Sequence, residues 1–134
     1  MINLIVFCGA PGSGKTTESI KIAEQYNAIR YSLDEMKKYY LKDLIPYTRE
    51  SLLQGKNVVL DSLYTRTFMR LDLLNAIKDI QCKKILIVMN TPLEECLERN
   101  SKREKSLPYL SVVGTFKTIQ YPSLEEGWDE IIYI

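Results

Sequence analysis

Short, unbroken apolar runs along the chain are separated by longer stretches in which apolar residues recur at helical spacing. Four runs stand out, Leu4 to Cys8, Val58 to Leu60, Ile85 to Met89 and Ile131 to Ile134, and a weaker fifth, Ala28 to Tyr31, lies between the first two. They are rich in β-branched residues and lack polar alternation, which predicts strands covered on both faces, as in a parallel sheet packed between helices. Runs of this kind alternating with helical segments predict an α/β domain, a doubly wound, five-stranded parallel sheet flanked by helices.

The helical segments carry their own punctuation. Ser32-Leu33-Asp34-Glu35 reads as a capping box, opening a helix that continues through Tyr40 to about Leu44. Pro46 is expected to interrupt it, and a second piece from Tyr47 to Gln54 is expected to close at Gly55 in the left-handed conformation. In Thr91-Pro92-Leu93-Glu94, Thr91 would cap a helix, Pro92 would take its first position and Glu94 would complete the box. Further helices are expected from about Thr65 to Asp79, Pro92 to Ser101 and Pro108 to Thr118. With no internal repeat, low-complexity tract or linker, residues 1–134 read as one domain.

Charge and composition remove several function classes. Lys plus Arg number 18 against 17 for Asp plus Glu, so no overall field draws in a long polyanion or an acidic membrane surface. The three cysteines, Cys8, Cys82 and Cys96, are widely spaced and accompanied by no histidine, which speaks against a zinc site or a disulfide framework and for reduced core residues. The first apolar run is too short for a secretion signal, and no run approaches the ~18 residues needed to span a bilayer. A cytoplasmic location is expected.

The strongest chemical signal is Gly9-Ala10-Pro11-Gly12-Ser13-Gly14-Lys15-Thr16, a match to G-x-x-x-x-G-K-[ST] set between an apolar run and a helical segment. Glycines allow a tight loop whose backbone N–H groups converge on phosphates, and the following helix adds its positive end. Lys15 is placed to reach the β- and γ-phosphates of a nucleotide, and Thr16 to offer its hydroxyl to Mg²⁺. The bare pattern arises by chance in ~0.5% of chains of this length, and requiring strand before and helix after lowers that figure. A phosphate-binding loop (P-loop) with ATP and Mg²⁺ is the expectation.

P-loop proteins include switches, motors and transferases, so other residues must choose. No N-K-x-D element follows the fourth run, which leads instead into Asn90-Thr91-Pro92-Leu93, so a guanine switch is disfavoured. The length is short for the helical second domain of a mechanical ATPase. A small kinase fits best.

In open α/β sheets, ligands bind beyond the carboxyl ends of the strands, and the residues there are Asp34, Asp61 and Asn90. Phosphoryl transfer calls for a carboxylate to accept the proton of the attacking hydroxyl, and Asp34 is the better candidate for that base. Read more plainly, Asp34 complements a helix dipole. Asp61 is a candidate to orient metal-bound water or a basic acceptor-binding residue, or is a simple strand-end carboxylate. Arg99 and Arg103 share a helical face and form a candidate lid over the transferring phosphate, although Glu95 and Arg99 also make an ordinary surface pair. Lys37 is a candidate acceptor-phosphate ligand, and Arg66 and Arg70 are similarly spaced on a later helix.

Together these residues resemble the kinase module of the phage-type polynucleotide 5′-kinases, within the AAA-type ATP-binding P-loop kinases that include zeta-toxin-like enzymes. The resemblance spans nearly the whole chain, through G-A-P-G-S-G-K-T-T at Gly9 to Thr17, L-D-E-M-K at Leu33 to Lys37, V-L-D-S at Val59 to Ser62, T-P-L-E-E-C-L-E-R-N-S-K-R at Thr91 to Arg103, and G-W-D-E-I-I-Y-I at the end. It implies donor-phosphate and metal binding at Lys15 and Thr16, a general base at Asp34, and a lid arginine at Arg103. It also implies acceptor contacts at Lys37 and Asp61. Two departures fall on the acceptor side: Lys37 stands where the family has arginine, and Asp61-Ser62-Leu63 where it often has D-T-N. The expected activity is ATP-dependent phosphorylation of a 5′-hydroxyl gripped over a few terminal nucleotides. The alternatives are a small-molecule kinase and a non-catalytic ATP-binding module.

Overall fold

The computed structural model describes residues 1–104 and 106–134. In chain order these form β1 (Asn3–Cys8), α1 (Lys15–Gln25), β2 (Ile29–Ser32), α2 (Leu33–Met36), α3 (Ile45–Leu53) and β3 (Val58–Asp61). There follow α4 (Thr67–Ala76), β4 (Lys83–Val88), α5 (Leu93–Ser101), α6 (Tyr109–Lys117) and β5 (Glu130–Tyr133). Short 3-10 turns at Leu41–Leu44 and Leu124–Glu126 precede α3 and β5.

The sheet has five strands in the order β2-β3-β1-β4-β5, and every pairing is parallel. Successive side chains of a strand point to opposite faces, and in β1 both sets are buried. Leu4, Val6 and Cys8 join Leu60, Leu73 and Leu86 on one face, while Ile5 and Phe7 join Val59, Ile85 and Ile87 on the other. Two covered faces are what an apolar run without alternation requires. The expected α/β architecture is therefore the observed one, and all five runs are strands.

The chain leaves β1 toward β2 and leaves β4 toward β5. Because these neighbouring strands feed opposite edges, the loops beyond their carboxyl ends part and leave a crevice. Residues Gly9 to Gly14 lie there, between β1 and α1.

Local expectations hold at some helix ends and fail at others. Gly55 closes α3 as expected: at φ 79° its N–H donates to Leu52 O (3.0 Å), and that of Lys56 donates to Ser51 O (3.0 Å). The helix expected from Ser32 to Leu44 stops at Met36 instead. Lys37 takes φ 55°, and the amides of Lys37 and Lys38 turn back to Asp34 O and Leu33 O. Pro46 does not interrupt a helix but sits in the first turn of α3, where a missing N–H costs nothing. Neither expected capping box forms. Ser32 makes no side-chain cap bond and Glu35 pairs with Arg30, while Thr91 donates its hydroxyl to Ser13 O at 2.6 Å and leaves Pro92 at the cap. The helix expected from Thr65 to Asp79 is trimmed to α4.

Arg70 is fully buried. Its Nε and Nη2 donate to the two carboxylate oxygens of Glu126 (2.9 and 3.0 Å), and Nη1 and Nη2 donate to Tyr64 O and Gln120 O. This ties α4 to the segment entering β5. No helix among the described residues is long and apolar enough to cross a membrane.

Candidate active site

The loop after β1 turns through two left-handed glycines, Gly12 at φ 81° and Gly14 at φ 97°. Gly12 also lies where no side chain fits, and Gly14 lies beside the flexible tip of Arg99. A Cβ on Gly12 would stand 2.3 Å from the backbone oxygen of Cys96 in α5, and one on Gly14 would stand 2.6 Å from Arg99 Nη1. The loop is thus packed beneath α5, with Thr91 bonded to Ser13 O from above and Gly9 N–H donating to Leu63 O (3.3 Å) from the β3–α4 side.

Within this cradle, Ser13 Oγ is buried and has no hydrogen-bond partner among the described residues. The ammonium of Lys15 donates to Gly9 O (2.9 Å) and Ala10 O (3.0 Å). Burial lowers its pKa to about 8, with Arg103 adding to the depression, against the opposing pull of Asp61 and the Cys8 and Cys96 thiols. An orphaned hydroxyl, a desolvated cation and a helix start that no side chain caps are what an anion would satisfy together. Pro11 is buried in the loop, and Thr16 and Thr17 are exposed on the first turn of α1.

Asp34, in the first turn of α2, is 91% exposed, and Arg103 Nη2 approaches its Oδ2 to 4.0 Å. The fold thus brings together the carboxylate and the arginine that were read from distant parts of the sequence. Arg99 makes the surface pair with Glu95, donating to Glu95 Oε1 at 2.7 Å, and its Nη1 lies beside Gly14. Lys37 is exposed, has the left-handed backbone described above, and has no ion-pair partner among the described residues.

Asp61 is buried at the end of β3, and its basic partner is Arg30 in β2. Arg30 donates Nη2 to Asp61 Oδ2, Nε to Ser19 Oγ (2.7 Å) and Nη1 to Glu35. The Ser19 hydroxyl also lies 2.9 Å from Asp61 Oδ2. One guanidinium therefore joins α1, the helix of the phosphate loop, to α2, the helix of Asp34. Sequence reasoning missed Arg30, although a signal existed: it is the charge that weakens the Ala28 to Tyr31 run, one strand away from a strand-end aspartate. A cation in such a run is expected to have a carboxylate partner.

Among the described residues, no group of three His, Cys, Asp or Glu side chains is placed to hold a metal ion. The three cysteines are free and buried, the core positions expected of them, and burial raises each thiol pKa.

The profile of the AAA domain family AAA_33 matches residues 4–113. The chain belongs to that family. It is 27% identical to the L-seryl-tRNA(Sec) kinase of Methanococcus maripaludis in an alignment of 142 positions, which covers 94% of this chain and 56% of that protein. The chain thus spans about half the length of this relative. Among solved structures, a fungal RNA kinase superposes with a TM-score of 0.78 at 20% identity, over 99% of this chain and 38% of the other. A sugar kinase from Janibacter sp. HTCC2649 superposes with a TM-score of 0.77 at 16% identity, over 100% and 85%. The five-stranded sheet and its loop are those of the P-loop NTPase fold, and the chain is a kinase-like P-loop domain.

Proposed function

We propose that residues 1–134 form a single cytoplasmic kinase domain that transfers the γ-phosphoryl group of ATP to a hydroxyl, most specifically the 5′-hydroxyl of a polynucleotide. The observation that carries this reading is the meeting of Asp34 and Arg103, 4.0 Å apart, with Arg103 near enough to Lys15 to lower its pKa. A carboxylate and a guanidinium facing each other beyond a phosphate cradle are the base and the charge-stabilising group that phosphoryl transfer needs.

In this reading Gly9, Ala10, Pro11, Gly12, Ser13 and Gly14 wrap the donor phosphates with backbone amides, while Lys15, Thr16, Thr17, Arg99 and Arg103 supply cations and hydroxyls. Asp34 accepts the acceptor's hydroxyl proton as the oxygen–phosphorus bond forms and the bond from Pγ to ADP breaks. Lys37 and Asp61 lie on the acceptor side, Asp61 acting through Arg30. Mg²⁺ would be held by Thr16 and Asp61. So small a protein donor set suits an ion that keeps waters and phosphate oxygens, not an all-protein cage. The ion would neutralise charge on the transferring group.

Similarity to a tRNA kinase and an RNA kinase supports a nucleic-acid acceptor. Near-neutral charge suits a grip on terminal nucleotides only. A small-molecule acceptor is the second reading, favoured by the exposed point charge of Lys37 in place of an arginine fork. Incubation with γ-labelled ATP, Mg²⁺, 5′-hydroxyl oligonucleotides and a set of nucleosides and sugars separates these readings. Label on oligonucleotides is expected, and label confined to small molecules overturns the polynucleotide assignment. ATP binding without transfer to any acceptor, unaltered by Asp34→Asn, would identify a binding module.

A further inference from the structure

A cavity of about 400 Å³ opens beyond the carboxyl ends of β2 and β3, on the acceptor side of the loop. Leu33, the neighbour of Asp34, and Ser62, the neighbour of Asp61, both line it. Its size lies within the ~300–1,000 Å³ of small-ligand sites. Three large rings line it yet stay in solvent: Tyr39 is 89% exposed, Tyr40 64% and Phe68 58%. Grouped exposed apolar side chains mark a binding surface more often than single ones do.

The two tyrosines stand on the extended stretch that follows the left-handed Lys37, and Phe68 stands on α4 across the cavity. Lys42 lies 5.4 Å over the Tyr40 ring and steadies it. Mostly apolar side chains make up the rest of the wall. The phenol of Tyr64, which also lines it, is buried and has no hydrogen-bond partner among the described residues. A polyol would meet only the polar atoms of Lys42, Ser62, Asp72 and the phenols here and would leave the ring faces unused. A nucleobase would not, since it offers two π-faces and only a few polar atoms at its edge.

We infer that this cavity is the slot for the base of the acceptor's terminal nucleotide, which stacks among Tyr39, Tyr40 and Phe68 and leaves its sugar hydroxyl toward Asp34. The inference rests on the kinase reading but names a ligand chemistry that the reading leaves open, and it disfavours free sugars. It also gives the 37–45 segment a role: the early end of α2 turns the two tyrosines toward the cavity.

The test compares a 5′-hydroxyl dinucleotide with the same molecule made abasic at its first position, titrated calorimetrically into the wild type, Tyr40→Ala and Phe68→Ala. Both side chains are exposed, so the core survives their removal, and unchanged ATP-analogue affinity verifies this. Removing the base is expected to weaken binding about tenfold, the scale of one base–aromatic stack. Each variant should lose several-fold affinity for the base-bearing ligand and none for the abasic one. Equal binding of the two ligands, or wild-type affinity in both variants, overturns the slot. The two readings fail differently. If the slot exists but the protein is not a kinase, the base dependence persists without label transfer. If the kinase reading holds without the slot, label passes equally to the abasic acceptor.

Discussion

Gly12 and Gly55 have nearly the same backbone dihedral, φ 81° and φ 79°, in opposite surroundings. An added Cβ at Gly55 meets nothing within 4 Å, whereas at Gly12 it meets Cys96 O at 2.3 Å, Cys96 C at 3.1 Å and Cys96 Cα at 3.2 Å. Alanine at either site pays the left-handed penalty of ~1–2 kcal/mol. At Gly12 a second cost is added, because the Cβ lies about 1 Å inside an ordinary carbon–oxygen contact. The atom it meets is helix backbone, which cannot rotate aside, so α5 or the loop must shift. Overpacking of this kind costs ~1–3 kcal/mol.

Gly55→Ala therefore isolates the dihedral term, and Gly12→Ala measures that term plus the contact with α5. For a domain of this length each kcal/mol moves Tm by roughly 3–5 °C, so Gly12→Ala should melt about 3–15 °C below Gly55→Ala. Urea titration should show the same difference. The displaced α5 also carries Arg99 away from Gly14, so ATP affinity should fall in Gly12→Ala and not in Gly55→Ala. Equal melting points, or wild-type nucleotide binding by Gly12→Ala, would refute the close packing of loop and α5.

Other expectations follow from the same contacts. Arg103→Ala should lower kcat about 10²–10³-fold, the usual loss when a charge-stabilising donor is removed, and unchanged steady-state kinetics would take Arg103 out of the lid role. Arg30→Ala leaves the buried Asp61 without its cation and should cost ~3–5 kcal/mol, since the Arg30 side chain is only 12% exposed. A double-mutant cycle with Asp61→Ala should show coupling above ~1 kcal/mol, and strict additivity would dissolve the proposed clamp. Lys15 gives a pH signature. Its folded pKa of about 8 lies below the ordinary lysine value of 10.5, so between those values the unfolded chain holds a proton that the folded chain lacks, and stability rises with pH. Bound phosphates favour the charged ammonium, so ATP binding at about pH 9 should take up a proton. Calorimetry in buffers of different ionisation heat reads that uptake directly, and a buffer-independent heat would contradict the depressed pKa.

The parts of the fold that were legible in the sequence depend on neighbours close along the chain. The β1 to β5 runs announce two-sided burial by themselves, and Gly55 announces a helix end because glycine adopts φ 79° without strain. The end of α2 had no such announcement. Lys37 takes a left-handed turn that its type does not favour, and the apolar spacing of Leu33, Met36, Leu41 and Leu44 imitates one continuous helix. Those side chains do all reach the same core face, but through a turn, an extended stretch and a 3-10 turn. Arg30 was hidden for the opposite reason: its meaning lies wholly in Asp61, Ser19 and Glu35, which only tertiary structure brings around it.

These differences divide the candidate site into two halves of unlike construction. The donor half is built from backbone: two left-handed glycines, a loop pressed against α5, and a lysine folded onto loop carbonyls. Few substitutions are geometrically open there, so the half reads clearly from sequence. The proposed acceptor half is built from exposed side chains on the stretch after Lys37 and on α4, where substitution leaves the sheet undisturbed. A kinase named for RNA and one named for sugar share this fold. On the base-slot proposal, specificity resides in the rings of Tyr39, Tyr40 and Phe68, since the phosphate loop would look the same whichever acceptor this chain takes.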